Sequence, residues 1–337
     1  QKIEVLHNFG GSLIGNSRVK LTNIDDCVQN GYIKKGENPL QVAANQLIKD
    51  NVSILHTIGG DDTNTSAGDL VDYLSKNNYN LTVVGLPKTI DNDVVPIKQT
   101  LGACTAAEQG ALFFENIVNE NTTSSRHLII HEIMGRNCGW LTAVTAMEYR
   151  TQLKTKKFVP SILLDKNRWD IDAIYIPEME INIDYEISRL KSRLDQKDSV
   201  NIFLSEGACI ENIIEEMEKS NINVKRDAFG HVRLDEVNPG QWLAKQFSYK
   251  IDANKVLVQK SGYFARSAKP NNKDLNLIFK TADYAVDCAF KGISGVVGLD
   301  EENNNKLNCI NFSRIKGGKK FDPKVEWFQN MLSEIGQ

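Results

Sequence analysis

The sequence predicts an α/β protein of the doubly wound kind, with enough chain for two domains. Three observations carry this reading. Short runs rich in Val and Ile, each closing on Gly, Pro or Asp, recur along the chain. Segments with apolar residues at helical spacing lie between them, which is the βαβ rhythm. The length, 337 residues, exceeds what one compact core usually serves. In chain order, strands are expected at 52–60 (VSILHTIGG), 81–88 (LTVVGLPK), 126–135 (RHLIIHEIMG), 173–178 (AIYIPE), 200–207 (VNIFLSEG) and 293–299 (ISGVVGL). Runs this continuously apolar suit strands covered on both faces, as in a parallel sheet. Helices are expected in AGDLVDYLSKN, TAAEQGALFFENIVNE, IDYEISRLKSRLDQ and DLNLIFKTADYAVDCAFKG, while LKTKKF and EENNNK read as loops.

Composition narrows the function classes. An apolar fraction of 41% and a charged fraction of 25% belong to an ordinary globular protein. With 40 Lys and Arg against 43 Asp and Glu, no general nucleic-acid or membrane-surface binder is expected, because such binding needs a basic face. The six cysteines are scattered, with no C-x-x-C pair, which fits reduced thiols and a cytoplasmic location. No stretch reaches the length of a membrane span. The chain opens on Gln1, and its first segment runs straight into motif-bearing sequence, so a preceding segment is expected.

Ligands in open parallel sheets bind at the carboxyl ends of strands. Three unusual stretches fall there. In Gly59-Gly60-Asp61-Asp62-Thr63-Asn64-Thr65-Ser66 two glycines allow a tight turn, and the following helix begins with its amide donors available to phosphate. Asp61 is suited to Mg²⁺, and the hydroxyls of Thr63, Thr65 and Ser66 to capping the helix or touching phosphate. The bland alternative is a common strand-turn-helix corner. Pro87-Lys88-Thr89-Ile90-Asp91-Asn92-Asp93 follows another strand. If Asp61, Asp62, Asp91 and Asp93 converge, their like charges raise one another's pKa unless a cation compensates. Here the alternative is a solvated turn whose Asn and Asp bond backbone. Met134-Gly135-Arg136-Asn137-Cys138-Gly139-Trp140 places an arginine able to grip phosphate beside two glycines, the alternative being a surface arginine after a turn.

Together, in this order, the three stretches resemble the phosphofructokinase family, and the PKTIDND and MGR pair is its specific signature. The likeness runs from Ser12 to the C-terminus. It implies two doubly wound three-layer (αβα) domains of the phosphofructokinase type with the active site in the cleft between them. Residues 1–125 with about 233–299 would form the donor domain, and 126–232 with about 300–337 the sugar-phosphate domain. ATP-dependent members read GGDGS and PGTIDND, whereas this chain reads GGDD and PKTIDND, like the pyrophosphate-dependent branch. Asp62 would put a carboxylate where the α-phosphate of ATP should lie. Two like charges about 4 Å apart repel by roughly 4 kcal/mol at an effective dielectric near 20. Lys88 would supply a point charge to the phosphoryl group in transfer.

The resemblance further implies pyrophosphate and fructose 6-phosphate as substrates, Mg²⁺ as cofactor and a homo-oligomer, dimer or tetramer. Asp91 would be the general base toward the sugar 1-hydroxyl, with Thr89 and Ile90 beside it in substrate binding. Asp61 and Asp93 would hold Mg²⁺, and Arg18 would lie near the transferring group. Met134, Gly135, Arg136, Glu206, Tyr263, Arg266 and His231 would make the fructose 6-phosphate site. ATP-type members place an arginine seven residues before the Met of MGR, donated by a neighbouring subunit to the 6-phosphate; here His127 stands there, with Arg126 one earlier, and either is a candidate. The family's Gly-rich opening motif has no counterpart, since Gly10-Gly11 lies too near GNSR to replace it. Competing readings are an ATP-dependent or mixed-donor sugar-phosphate kinase and a catalytically idle regulatory subunit. Asp62 and Lys88 argue against the ATP version of the first, and the presence of Asp91 and Lys88 against the second. Lipid and NAD kinases share a GGD loop but lack the other two motifs.

Overall fold

The computed structural model describes residues 4–17, 19–162, 164–222, 224 and 237–337. The strands are β1 (Ile54–Gly59), β2 (Thr82–Pro87), β3 (His127–Ile133), β4 (Ala173–Tyr175), β5 (Ser199–Ser205), β6 (Lys255–Lys260), β7 (Gly295–Asp300) and β8 (Lys306–Ile310). The helices that matter here are α1 (Pro39–Lys49), α2 (Asp61–Lys76), α3 (Ala103–Ile117), α4 (Trp140–Thr155), α5 (Ile183–Lys197), α6 (Pro239–Phe247), α7 (Gly262–Arg266) and α8 (Asn272–Phe290). They build two compact units. The first takes the described residues of 1–103 and 270–319, the second those of 104–225, 232–269 and 320–337.

In the first unit the sheet runs β1-β2-β7-β8, parallel except for β8, which returns antiparallel beside β7. Neighbouring residues of β2 face opposite ways, as a pleated strand requires. Val83 packs with Ala44, Ala67, Leu70 and Leu74 of α1 and α2, while Val84 packs with Ala285, Cys288 and Ala289 of α8. Helices on both faces make the layer structure doubly wound. Asn38 caps α1 by accepting from the Leu40 N–H at 2.9 Å, with Pro39 at the first helical position. Asn271 caps α8 in the same way, from the Asp274 N–H.

The second unit holds a fully parallel sheet, β4-β5-β3-β6. Every residue of β3 and β5 is buried. On one face Leu128, Ile130, Val200, Ile202 and Leu204 pack with Leu190 and Leu194 of α5 and Leu243 and Phe247 of α6. On the other, Phe114 of α3 and Tyr149 of α4 close on Phe203, with ring centroids 4.6 to 6.0 Å apart. Fully burying an aliphatic or Phe side chain stabilises by roughly 1.5–3 kcal/mol, so these two layers supply the unit's main driving force.

Two strands, β6 and β8, lie outside the sequence-based set, and they move the division of the chain. The expected scheme gave 233–299 to the first domain and 300–337 to the second. The sheets divide it elsewhere, because β6 pairs with β3 in the second unit and β8 with β7 in the first. Residues 104–125, expected in the first domain, belong to the second unit, where α3 packs on β3. Among the described residues no helix is long and apolar enough to cross a membrane.

Candidate active site

Within the first unit, the parallel register sets Gly59 beside Pro87, so the loops after β1 and β2 emerge side by side. The Lys88 N–H donates to the Gly59 carbonyl at 2.7 Å. Gly59 is obligatory for steric reasons: a Cβ there would lie 2.2 Å from Thr63 Oγ1. Asn64, fully buried, holds the turn by donating Nδ2 to the carbonyls of Gly59 and Gly60 at 3.0 and 2.8 Å. Gly60 caps α2 without a side-chain bond, and Asp61 and Asp62 stand in the first turn, where the helix dipole favours anions. The expected hydroxyl cap is not made by Thr65, whose Oγ1 turns back to the Asp61 and Asp62 carbonyls. Lys20 Nζ lies 3.9 Å from Asp62 Oδ1.

The loop after β2 is braced by neutral groups. Asn92, buried and at φ +55°, accepts from the Thr100 N–H at 2.8 Å and donates to the Lys98 carbonyl at 3.3 Å. Thr100 Oγ1 donates to the Thr89 carbonyl at 2.8 Å, and the Asp91 N–H reaches Thr89 Oγ1 at 3.2 Å. Ile90 is half-buried in this loop, and a Cβ at Gly102 would lie 3.9 Å from its Cγ2. Of the two readings of IDND, backbone bracing falls to Asn92, between two aspartates. Burial, then the charges of Asp91 and Asp61, push the Asp93 carboxyl up to about 7, with Asp62 adding to the rise and a backbone hydrogen bond opposing it. The aspartates therefore do converge.

Such a concentration of carboxylates fits Mg²⁺, a hard cation that takes one or two carboxylates together with phosphate oxygens. Among the described residues no three His, Cys, Asp or Glu side chains are grouped to hold a metal by themselves. The two findings agree if substrate oxygens complete the coordination, with Asp61 and Asp93 as the protein's share.

In the second unit, loops after β3, β5 and β6 are stitched together. Gly135, at φ +129°, sits where a Cβ would meet the Cys138 carbonyl at 2.6 Å. Its carbonyl accepts from Ser205 Oγ at 2.5 Å, and its N–H donates to Glu206 Oε1 at 3.2 Å. Gly207 lies flat on the backbone of Arg136, leaving no room for a Cβ. The Gly139 N–H donates to Glu178 at 3.0 Å, which also accepts from the Phe321 N–H at 2.9 Å. Burial, then Glu132, raise the Glu206 pKa, against the Gly135 N–H, Arg136 and Lys260. Glu132 itself takes the Gly240 N–H at 2.9 Å and pairs with Lys260 at 2.9 Å. The helix α7 starts against Met134, whose Cε lies 3.5 Å from a Cβ built at Gly262. On it Tyr263 is 72% exposed and Arg266 is exposed.

Met134, Gly135, Arg136 and Glu206 thus meet at the carboxyl end of this sheet, with α7 carrying Tyr263 and Arg266 alongside. Arg126 and His127 sit at the opposite end of β3. The Arg126 guanidinium is held by Asp195 Oδ1 at 2.7 Å and by the carbonyls of Ile251 and Asp252 at 2.8 and 2.6 Å. His127 is fully buried, with Nδ1 3.0 Å from the Glu120 carbonyl, and burial lowers its pKa. Within one chain both therefore lie away from the Met134 end. Arg18 and His231 lie outside the described residues. Sequence reasoning gave no role to Lys20, Asn64, Glu178 or Glu132, of which only Asn64 stands in one of the three stretches singled out above.

The sequence pattern of the Phosphofructokinase family matches residues 1–289. Over 337 residues the chain is 58% identical to Pyrophosphate--fructose 6-phosphate 1-phosphotransferase of Methylomonas methanica, covering all of this chain and 82% of that protein. It is 55% identical over 333 residues to the protein of the same name from Mastigamoeba balamuthi, covering 99% and 81%. A crystal structure described as a pyrophosphate-dependent phosphofructokinase from Nitrosospira multiformis matches with a TM-score of 0.67 at 16% identity, covering 99% of this chain and 76% of that one. The corresponding structure from Marinobacter aquaeolei gives 0.64 at 18% identity, with 95% and 74% covered. At these identities the two structures speak to the fold. The family match and the relatives speak to descent: the chain belongs to the phosphofructokinase family.

Proposed function

We propose that this protein moves a phosphoryl group reversibly between pyrophosphate and the 1-hydroxyl of fructose 6-phosphate, giving fructose 1,6-bisphosphate and phosphate, with Mg²⁺, as a cytoplasmic homo-oligomer. The observation that carries the reading is the pair Asp62, in the first turn of α2 after β1, and Lys88, directly after the neighbouring β2. The names of relatives at 55–58% identity support the same donor. Asp62 stands against a nucleotide α-phosphate, while the exposed Lys88 offers its charge to a phosphate group. Lys20, half-exposed at 3.9 Å, moderates the Asp62 charge without cancelling it.

In the forward direction Asp91 accepts the proton of the 1-hydroxyl as the new O–P bond forms. The bond between that phosphorus and the bridging oxygen breaks, and phosphate leaves with the electron pair. Mg²⁺ held by Asp61 and Asp93 would neutralise charge on the phosphate oxygens. Arg18 belongs near the transferring group by its place in GNSR. Arg136 and Arg266, with Tyr263 and His231, take the 6-phosphate, and Glu206 the sugar hydroxyls. Arg126 and His127 stand at the opposite end of β3, so either would serve the 6-phosphate site only of a neighbouring subunit.

A donor assay on the full chain tests the reading. Turnover with pyrophosphate and none with ATP is expected, and the double variant Asp62→Gly with Lys88→Gly should shift the donor ratio at least tenfold toward ATP, given a repulsion of roughly 4 kcal/mol at stake. Turnover with ATP alone in the unmodified protein would overturn the donor assignment, and silence with both would favour an idle regulatory subunit.

A further inference from the structure

The segment Ile315–Lys319 takes no part in the chemistry above, yet it touches both acidic loops of the first unit. Ile315 anchors one end in a cluster with Val94, Ile97, Val296 and Ile310. Lys316 and Val95 exchange backbone hydrogen bonds at 3.1 and 2.8 Å. At the other end the Lys319 N–H donates to the Asp93 carbonyl at 2.9 Å, and its Nζ donates to the Ile97 carbonyl and to Glu301 at 2.7 and 2.8 Å. Between these anchors the backbone of Gly317 lies directly on the Asp61 carboxylate. A Cβ at Gly317 would stand 2.1 Å from Asp61 Oδ2 and 2.9 Å from its Cβ and Cγ.

We propose that Gly317 is a positioning residue for the Asp61 carboxylate, and through it for the divalent cation. The inference rests on the reading of Asp61 as a metal ligand. A short aspartate has few staggered rotamers, and a methyl group at 317 closes the one Asp61 occupies. Most of the clash falls on a carboxylate that can swing away, and the remaining 2.9 Å contact with the Asp61 Cβ is relieved by a small shift of the exposed Gly317 backbone, so the fold survives. The carboxylate does not stay where it was, and Mg²⁺ demands near-ideal octahedral geometry. Gly318 makes the contrast. It sits at φ +76° with nothing within 4 Å of a built Cβ, so it serves the turn and leaves Asp61 alone.

Titration of the intact protein with Mn²⁺, followed by electron paramagnetic resonance, separates the possibilities. Gly317→Ala should weaken Mn²⁺ binding about tenfold or more, as loss of support around a metal ligand does, with Tm little changed. Asp61→Ala should weaken it at least as much, and Gly318→Asn, which tolerates the left-handed backbone, should bind as the unmodified protein does. In kinetics, Gly317→Ala should raise the Mg²⁺ requirement while saturating Mg²⁺ restores much of kcat. Unchanged binding in Gly317→Ala with weakened binding in Asp61→Ala would overturn the role of Gly317 alone. Unchanged binding in Asp61→Ala would overturn the metal assignment beneath it, and an equal loss in Gly318→Asn would reduce the segment to a structural support.

Discussion

At the carboxyl end of the first sheet, four aspartates crowd one another, and the loop that carries two of them is braced by uncharged groups, Asn92 and Thr100. At the carboxyl end of the second, the bracing is done by carboxylates: Glu206 and Glu178 accept backbone N–H groups of the loop that carries Arg136. The contrast follows from the ligand each end is asked to meet. Where negative charge is needed for a proton and a cation, the scaffold must not compete for it. Where an anionic sugar phosphate is proposed to bind, Arg136 and Arg266 supply positive charge, while Glu178 and Glu206 hold the loop and Glu206 would also meet the sugar hydroxyls. The first end should therefore govern chemistry and the second affinity.

The largest effect expected is on the first end. Asp91→Ala should cut kcat by about 10²–10⁴-fold, the usual worth of a general base, with KM for fructose 6-phosphate within a few-fold. A change dominated by KM would break the comparison. On the second end, Arg136→Ala should lose a charge-assisted bond of roughly 1.5–3 kcal/mol, or about 10–100-fold in KM for the sugar phosphate, with kcat less affected. Steady-state kinetics on both variants decide the matter.

The smallest effect concerns neither loop and calibrates them. His131 is fully buried, stacked on Phe114 at 5.5 Å and edge-on to Phe203, and neither ring nitrogen has a hydrogen-bond partner among the described residues. Burial lowers its pKa from 6.5 to about 3. Between those values the unfolded chain binds a proton that the folded protein refuses, so stability falls as pH drops, by up to about 1.4 kcal/mol per pH unit. His131→Phe should flatten that slope in denaturant unfolding between pH 6 and 4, leaving the contribution of His127, whose pKa burial also lowers. An unchanged slope would mean that the ring is not neutral in the fold.

The GGD, TIDND and MGR loops were legible in the sequence because each is a short contiguous pattern that follows an apolar strand. The bracing was not. Asn64 and Thr100 act on carbonyls and amides that no local pattern announces, and Gly317 looks like half of an ordinary Gly-Gly turn until Asp61 is found beneath it. β6 and β8 escaped because KVLVQK and KLNCI open on lysine and carry little apolar run, and the partner of β6, β3, lies far along the chain. Arg126 and His127 were placed by counting back from Met134; a strand rises about 3.3 Å per residue, so the count spans roughly 20 Å and takes both to the far end of their own sheet, away from this chain's own sugar-phosphate loops.

The pairing of β2 with β7 also fixes an order of events during synthesis. Val84 finds Gly295 as its neighbour, and the Val83 N–H finds Ser294 Oγ at 3.1 Å. All four strands of the second sheet have been made once Lys260 has left the ribosome, whereas the first sheet waits for Ile310. Domains generally fold as units as they emerge. The half built around the aspartates therefore emerges with β1 and β2 paired only to each other until β7 and β8 follow, while the other half, its sheet complete earlier, still waits for residues 320–337.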